Sequence, residues 1–265
     1  MSKHNEVLKQ HCIKKNSLIA YFTFGDPSIE QTKTIVMAAV RAGADVIELG
    51  MPFSDPIADG PVIQASHQRA LEAKSDISFN DLFQFMREVK PSCQVPFVVM
   101  TDVNLVIRFG IKAFFEQAAQ VGIEGVILPN VPIEEMAVFL PFSHQYGIAI
   151  IQLVSFLCPE ERLQKIVSVA QGFLYVIAST GTTGVRATLS DQLPRFVARI
   201  QAIRDVPVAV GFGISTPEQT QAVWSYAQGA IVGSVLVQIV AQTSGDQLAT
   251  CVEQKIKWLK RGELR

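Results

Sequence analysis

Short β-branched and aromatic runs alternate along the whole chain with longer stretches whose apolar positions recur at helical spacing. The runs fall at 18–22, 46–49, 97–100, 125–128, 149–153, 174–177, 206–210 and 230–232, eight in all. Most are apolar at successive positions, the mark of strands buried on both faces. The stretches between them predict helices over 29–42, 79–89, 112–120, 132–142, 160–170, 193–203, 217–227 and 247–259. In the first of these Ile35, Val36, Ala39 and Val40 share a stripe, and Gly43 supplies a C-terminal stop. Doubly buried strands that are each followed by a helix imply a parallel sheet covered by helices.

Eight such units in 265 residues match a single-domain α/β protein built as a closed (βα)8 TIM barrel over 1–265. A short N-terminal helical segment, about 1–16, precedes the first strand. An open doubly wound sheet is the structural alternative. Such a sheet normally carries a GxGxxG loop after its first strand, and Phe22-Thr23-Phe24-Gly25-Asp26-Pro27 is not one.

Composition agrees with one compact domain. Apolar residues make up 49% and charged residues 18%, which excludes a disordered or fibrous chain. No Ser/Gly/Pro-rich linker or charge block divides the sequence. Lys+Arg is 23 against Asp+Glu 24, a net charge of −1, so no broad basic surface exists for nucleic acid or an anionic membrane. A local anion site held by backbone N–H groups stays open. Cys12, Cys93, Cys158 and Cys251 form no CxxC pair, which reads as free thiols in a reducing compartment. The start of the chain has no apolar signal segment, and the best apolar run, 146–157, is interrupted by Gln152. These features predict a cytoplasmic protein.

In this architecture chemistry collects where strands end at their C-termini. Glu48 lies near such an end, inside an otherwise apolar run. Burial raises a carboxyl's pKa and suits it to proton transfer near neutral pH; a glutamate paired with Lys or Arg for structure is the other reading. Asp55 and Asp59 stand in the Pro/Gly-punctuated loop that follows, where acids are usually solvated or cap turns. The Gly-rich stretch 178–186 after the sixth run suits a mobile lid or a plain surface loop. Gly211-Phe212-Gly213 and Gly233-Ser234 follow the last two runs, where barrels often bind phosphate. The four histidines show no metal spacing, and His67 reads as surface. No lysine stands at a strand end to anchor a Schiff base.

The run Glu48-Leu49-Gly50-Met51-Pro52-Phe53-Ser54-Asp55-Pro56-Ile57-Ala58-Asp59-Gly60-Pro61 closely resembles the signature of the tryptophan synthase α-chain family. The resemblance extends to Gly25-Asp26-Pro27, Gly181-Thr182-Thr183-Gly184, Gly211-Phe212-Gly213-Ile214-Ser215 and Gly233-Ser234, in order along the chain. It implies a (βα)8 lyase that cleaves indole-3-glycerol phosphate to indole and glyceraldehyde 3-phosphate. It also implies association with a β chain as an α2β2 complex. Indole passes to that partner, whose pyridoxal phosphate serves the synthesis of L-tryptophan; this chain itself holds no cofactor and no metal.

By the same resemblance Glu48 is the acid–base carboxylate and Asp59 holds the indole N–H. Thr183 orients that aspartate when the lid closes, and Tyr175 supports the pocket. Gly184, Gly213, Gly233 and Ser234 match phosphate positions, while Phe22, Met100 and Phe212 match the indole pocket. Two departures stand out. Asp102 occupies a place where many relatives have tyrosine, and Asn130 one where many have an acid. They motivate an alternative, a catalytically weak subunit that mainly activates the β chain. A third reading, an isomerase of phosphorylated sugars, accounts for the phosphate loops but not for the 48–61 signature.

Overall fold

The structure is a computed structural model that describes residues 15–57, 59–178, 192–211 and 213–261. Strands and helices alternate from the start: β1 (Ser17–Thr23), α1 (Ile29–Arg41), β2 (Val46–Gly50), α2 (Pro61–Ala73), α3 (Phe79–Val89), β3 (Phe97–Met100), α4 (Val103–Phe109), α5 (Ile111–Gln120) and β4 (Gly125–Ile127). A 3₁₀ turn (Ile133–Val138) leads to α6 (Leu140–Tyr146), β5 (Ala149–Ile150), β6 (Gln152–Ser155), α7 (Glu160–Val169) and β7 (Leu174–Ile177). The chain finishes with α8 (Leu193–Ile203), β8 (Val208–Gly211), α9 (Pro217–Trp224), β9 (Gly229–Val232), α10 (Ser234–Gln242) and α11 (Gln247–Arg261). The expected segment before β1 lies outside the described residues up to position 14.

All strand pairs are parallel, in the order β5-β4-β3-β2-β1-β9-β8-β7-β6. The two ends of this sheet are separated in the chain by Ile151 alone. Ala149 and Ile150 pair with β4, Gln152 to Ser155 pair with β7, and Ile151 N–H still reaches Val126 O at 2.9 Å. One extended run therefore changes partners halfway along, and the sheet curls into a nearly closed barrel. The eight expected runs hold; the fifth is counted twice because it serves two neighbours.

Strand alternation divides the core into two layers. Ile19, Val46, Val98, Ile127, Ile151, Phe173, Ala209 and Ile231 point inward and fill the barrel. Leu18, Ala20, Phe22, Ile47, Leu49, Val99 and Val126 point outward and pack beneath the helices. A capping box, with Ser78 N–H donating to Asp81 Oδ2 at 2.9 Å, starts α3. The same device between Thr216 and Gln219, with Pro217 at the first helical position, starts α9. At the base of the barrel Lys90 Nζ pairs with the buried Glu124 carboxylate at 2.6 Å, while Phe97 N–H donates to its other oxygen.

Three helices, α2, α4 and α10, have no counterpart in the sequence expectation, and each has a physical reason. The face that α2 buries carries Ile63, Ser66, His67 and Ala70, so half of its inward stripe is polar and no apolar period appears. Short α4 buries only Val106. α10 is apolar on most sides, which erases any contrast between faces. The helix expected over 132–142 is instead the 3₁₀ turn followed by α6. Cys93, Cys158 and Cys251 are free thiols. No helix among the described residues is long and apolar enough to cross a membrane.

Candidate active site

Alternation along β2 sends Ile47 and Leu49 out to the helices and turns Val46 and Glu48 into the barrel. Glu48 stands one step above the apolar inner layer, in register with Tyr21 on β1 and Val98 on β3. It is 1% exposed, and neither carboxyl oxygen has a hydrogen-bond partner among the described residues. No lysine or arginine pairs with it among the described residues. Burial, reinforced by the charge of Asp59, pushes its pKa up to about 8. Burial thus favours the protonated form of Glu48 near neutral pH.

A cavity of about 180 Å³ opens over this carboxyl, lined by Tyr21, Glu48, Asp59, Met100, Tyr175, Gly213, Gly233 and Ser234 among others. A neighbouring cavity of about 300 Å³ shares Tyr21, Asp59, Met100 and Pro129 and extends past Met51, Phe53 and His67 to Asp102 and Asn130. The two form a cleft over the C-terminal ends of the strands. Asp59 faces both cavities, whereas Asp55 lines the larger one alone, is exposed, and accepts from Ser54 Oγ at 2.6 Å. Of the two loop acids, alike in sequence, Asp59 is the one that reaches the cavity over Glu48.

On the far side Gly213, at φ 85°, and the Gly233–Ser234 pair that opens α10 bring small residues and the N-terminal end of a helix together. Tyr21 and Tyr175 form the walls. Each lies over a strand-end glycine: a Cβ on Gly50 would collide with the Tyr21 hydroxyl, and one on Gly211 would lie 2.5 Å from the Tyr175 oxygen. Burial holds both phenols well above their ordinary pKa, helped by the charges of Asp59 for Tyr21 and Glu48 for Tyr175. Ser66 Oγ donates to Ile63 O at 2.6 Å, so it accepts from Thr23 Oγ1 at 2.5 Å. Thr23 in turn is free to accept from Tyr21 at 3.4 Å.

Seven of the expected residues, Glu48, Asp59, Met100, Tyr175, Gly213, Gly233 and Ser234, thus share one cavity. Thr183, Gly184 and Phe212 lie outside the described residues. Phe22 is a correction. It is 1% exposed and packs outward beneath the helices, because the period of two along β1 gives the inward position to its neighbour Tyr21. His67 is a second correction: it is 5% exposed, accepts from Phe53 N–H through Nδ1 at 3.0 Å, and sets Nε2 3.5 Å from Asp59 Oδ2. Sequence reasoning also missed Ile63, Pro129, Leu153 and Ile177 as lining residues. For Leu153 and Ile177 the alternation within their runs carried the signal. For Tyr21 and His67 it lay in spacing from a neighbour, two from Ile19 and four from Ile63.

The family model described as "Tryptophan synthase alpha chain" matches residues 8–263. The tryptophan synthase alpha chain of Methanosarcina acetivorans is 42% identical over 262 residues, covering 98% of this chain and 91% of the relative. That of Geotalea daltonii is 37% identical, covering 94% of each chain. Among solved structures, tryptophan synthase from Mycobacterium tuberculosis superposes with a TM-score of 0.87 at 30% identity over 100% of this chain and 99% of that one. The structure described for mutual activation of the Pyrococcus furiosus tryptophan synthase α2β2 complex gives 0.86 at 34%, over 93% and 98%. A buried acid above a barrel floor, an aspartate across a shared cleft and sequence agreement along nearly the whole length point the same way: the chain belongs to the tryptophan synthase alpha chain family.

Proposed function

We propose that this chain performs the alpha reaction of tryptophan synthase, the retro-aldol cleavage of indole-3-glycerol phosphate to indole and glyceraldehyde 3-phosphate. The observation that carries this reading is Glu48, a buried carboxyl without a hydrogen-bond partner among the described residues, in one cavity with Asp59 and the Gly213, Gly233 and Ser234 cluster. The neutral Glu48 acid gives its proton to indole C3, leaving positive charge on the ring nitrogen. Asp59, holding the indole N–H, stabilises that charge. The bond between C3 and the side chain then breaks. Its electrons return to the ring and the adjacent hydroxyl becomes the aldehyde, releasing its proton to the Glu48 carboxylate. The acid is restored, and indole keeps the proton it received at C3. The amides around Gly213 and at the start of α10 hold the phosphate, which explains how a chain of net charge −1 takes an anionic substrate.

The partner is a β chain, as in the α2β2 relatives, and pyridoxal phosphate belongs to that partner. Ile57, Ile107, Val138 and Leu157 are exposed, and all lie in segments that follow strand C-terminal ends. An apolar scatter on the face where the cleft opens suits a partner that receives indole there. As a step of amino-acid biosynthesis the reaction runs in the cytoplasm. The test is indole release from indole-3-glycerol phosphate by the purified chain, with and without a β chain. Turnover that falls by about a thousandfold or more in Glu48→Gln, with folding retained, supports the reading. Activation of the β chain without any indole release would instead leave an activating subunit.

A further inference from the structure

We infer that His67 is a positioning residue for Asp59, fixing that carboxylate through a single ring N–H. Phe53 N–H donates to His67 Nδ1 at 3.0 Å. A ring nitrogen that accepts carries no proton, so the imidazole hydrogen sits on Nε2. Nε2 is buried and makes no hydrogen bond among the described residues; the group it faces is Asp59 Oδ2, 3.5 Å away. Contacts of this kind tighten when substrate closes the site.

The ring itself cannot wander. His67 belongs to the face of α2 that is fastened to β1 and the loop beyond it by Ser66 to Thr23, at 2.5 Å, and by Arg69 to Asp26, at 2.9 and 2.7 Å. A donor held by the loop after β2 at one nitrogen and aimed at the carboxylate with the other keeps Asp59 turned toward the cleft. This inference rests on the reading that Asp59 holds the indole N–H.

Two near-isosteres separate the ring's two jobs. His67→Asn places an amide oxygen where Nδ1 was, which keeps the Phe53 bond and deletes the donor to Asp59. His67→Gln places an amide N–H at the reach of Nε2, which keeps the donor and deletes the Phe53 bond. Indole release is measured with the β chain present, alongside thermal denaturation of each variant. For His67→Asn, kcat falls about tenfold to a hundredfold with KM little changed, as expected on losing a bond to a charged group, and the melting temperature stays near that of the parent. For His67→Gln, kcat stays within about threefold of the parent while the melting temperature drops. Parent-like kcat in His67→Asn overturns the inference, as does an equal loss in both variants that follows their stability. A parent chain inactive toward indole-3-glycerol phosphate removes the proposed function and this inference together, whereas an active parent with an unaffected His67→Asn removes this inference alone.

Discussion

Asn130 Nδ2 donates to Asp102 Oδ2 at 2.9 Å, so the two residues that stand out in sequence as departures from the resemblance are hydrogen-bonded to each other. Asn130 also accepts from Val103 N–H at 3.1 Å, and Asp102 caps α4 by accepting from Asn104 N–H at 2.8 Å. Position 130 must both donate and accept, which an amide does and a carboxylate does not. Asn130→Asp therefore sets two carboxylates in contact and destabilises the chain by about 1 kcal/mol. The double variant Asn130→Asp with Asp102→Asn restores the pair in reverse. Urea denaturation of the two single variants and the double one checks this, the double recovering most of the loss.

Glu48 makes stability depend on pH in a direction opposite to that of a salt-bridged acid. Its folded-state pKa, about 8, lies above the 4.5 of the unfolded chain. Between those values the native state holds a proton that the unfolded state has lost, so stability falls as pH rises from about 5 to about 8. The full effect is at most roughly 5 kcal/mol. Glu48→Gln removes it. The melting temperature of that variant should match the parent at pH 5 and exceed it increasingly toward pH 9.

Gly211 seats Tyr175, and a methyl group there has no room. Gly211→Ala pushes the Tyr175 ring off the strand end and into the cleft. Overpacking of this kind costs about 1–3 kcal/mol. The larger effect is on catalysis: kcat/KM for indole release should drop about tenfold or more, in steady-state kinetics at a temperature where the variant remains folded.

Phe22 and Tyr21 are adjacent yet serve opposite sides of the barrel wall. Phe22→Ala opens a cavity beneath the helices and should cost about 3–5 kcal/mol in denaturant unfolding, with KM for indole-3-glycerol phosphate unchanged. Tyr21→Phe leaves the core intact and changes KM or kcat instead.

Those two residues also show where the chain could be read without coordinates. Eight apolar runs were visible because strands covered on both faces need no polar positions, and Glu48 was visible because it broke that rule. The same property hid the inward and outward sides: where every position is apolar, alternation in a run such as Leu18 to Phe22 sorts the residues into two sets without marking which set meets the cleft. Helix α2 was hidden for a related reason. Ser66 and His67 face inward to hold Thr23 and the loop at Phe53, so the stripe that normally betrays a helix is half polar. His67 reads as surface by a rule that holds for lone histidines and fails on a helix whose buried side is the wall of the site.

The inner layer of Ile19, Val46, Val98, Ile127, Phe173 and Ile231 seals the barrel below Glu48. These side chains neither donate nor accept a proton, so the carboxyl exchanges protons with what enters from above. On the proposed chemistry the hydrogen handed to one indole is replaced by the hydroxyl hydrogen of that same substrate molecule. A single proton's place is emptied and refilled inside each turnover, so cleavage draws no acid from the medium and returns none.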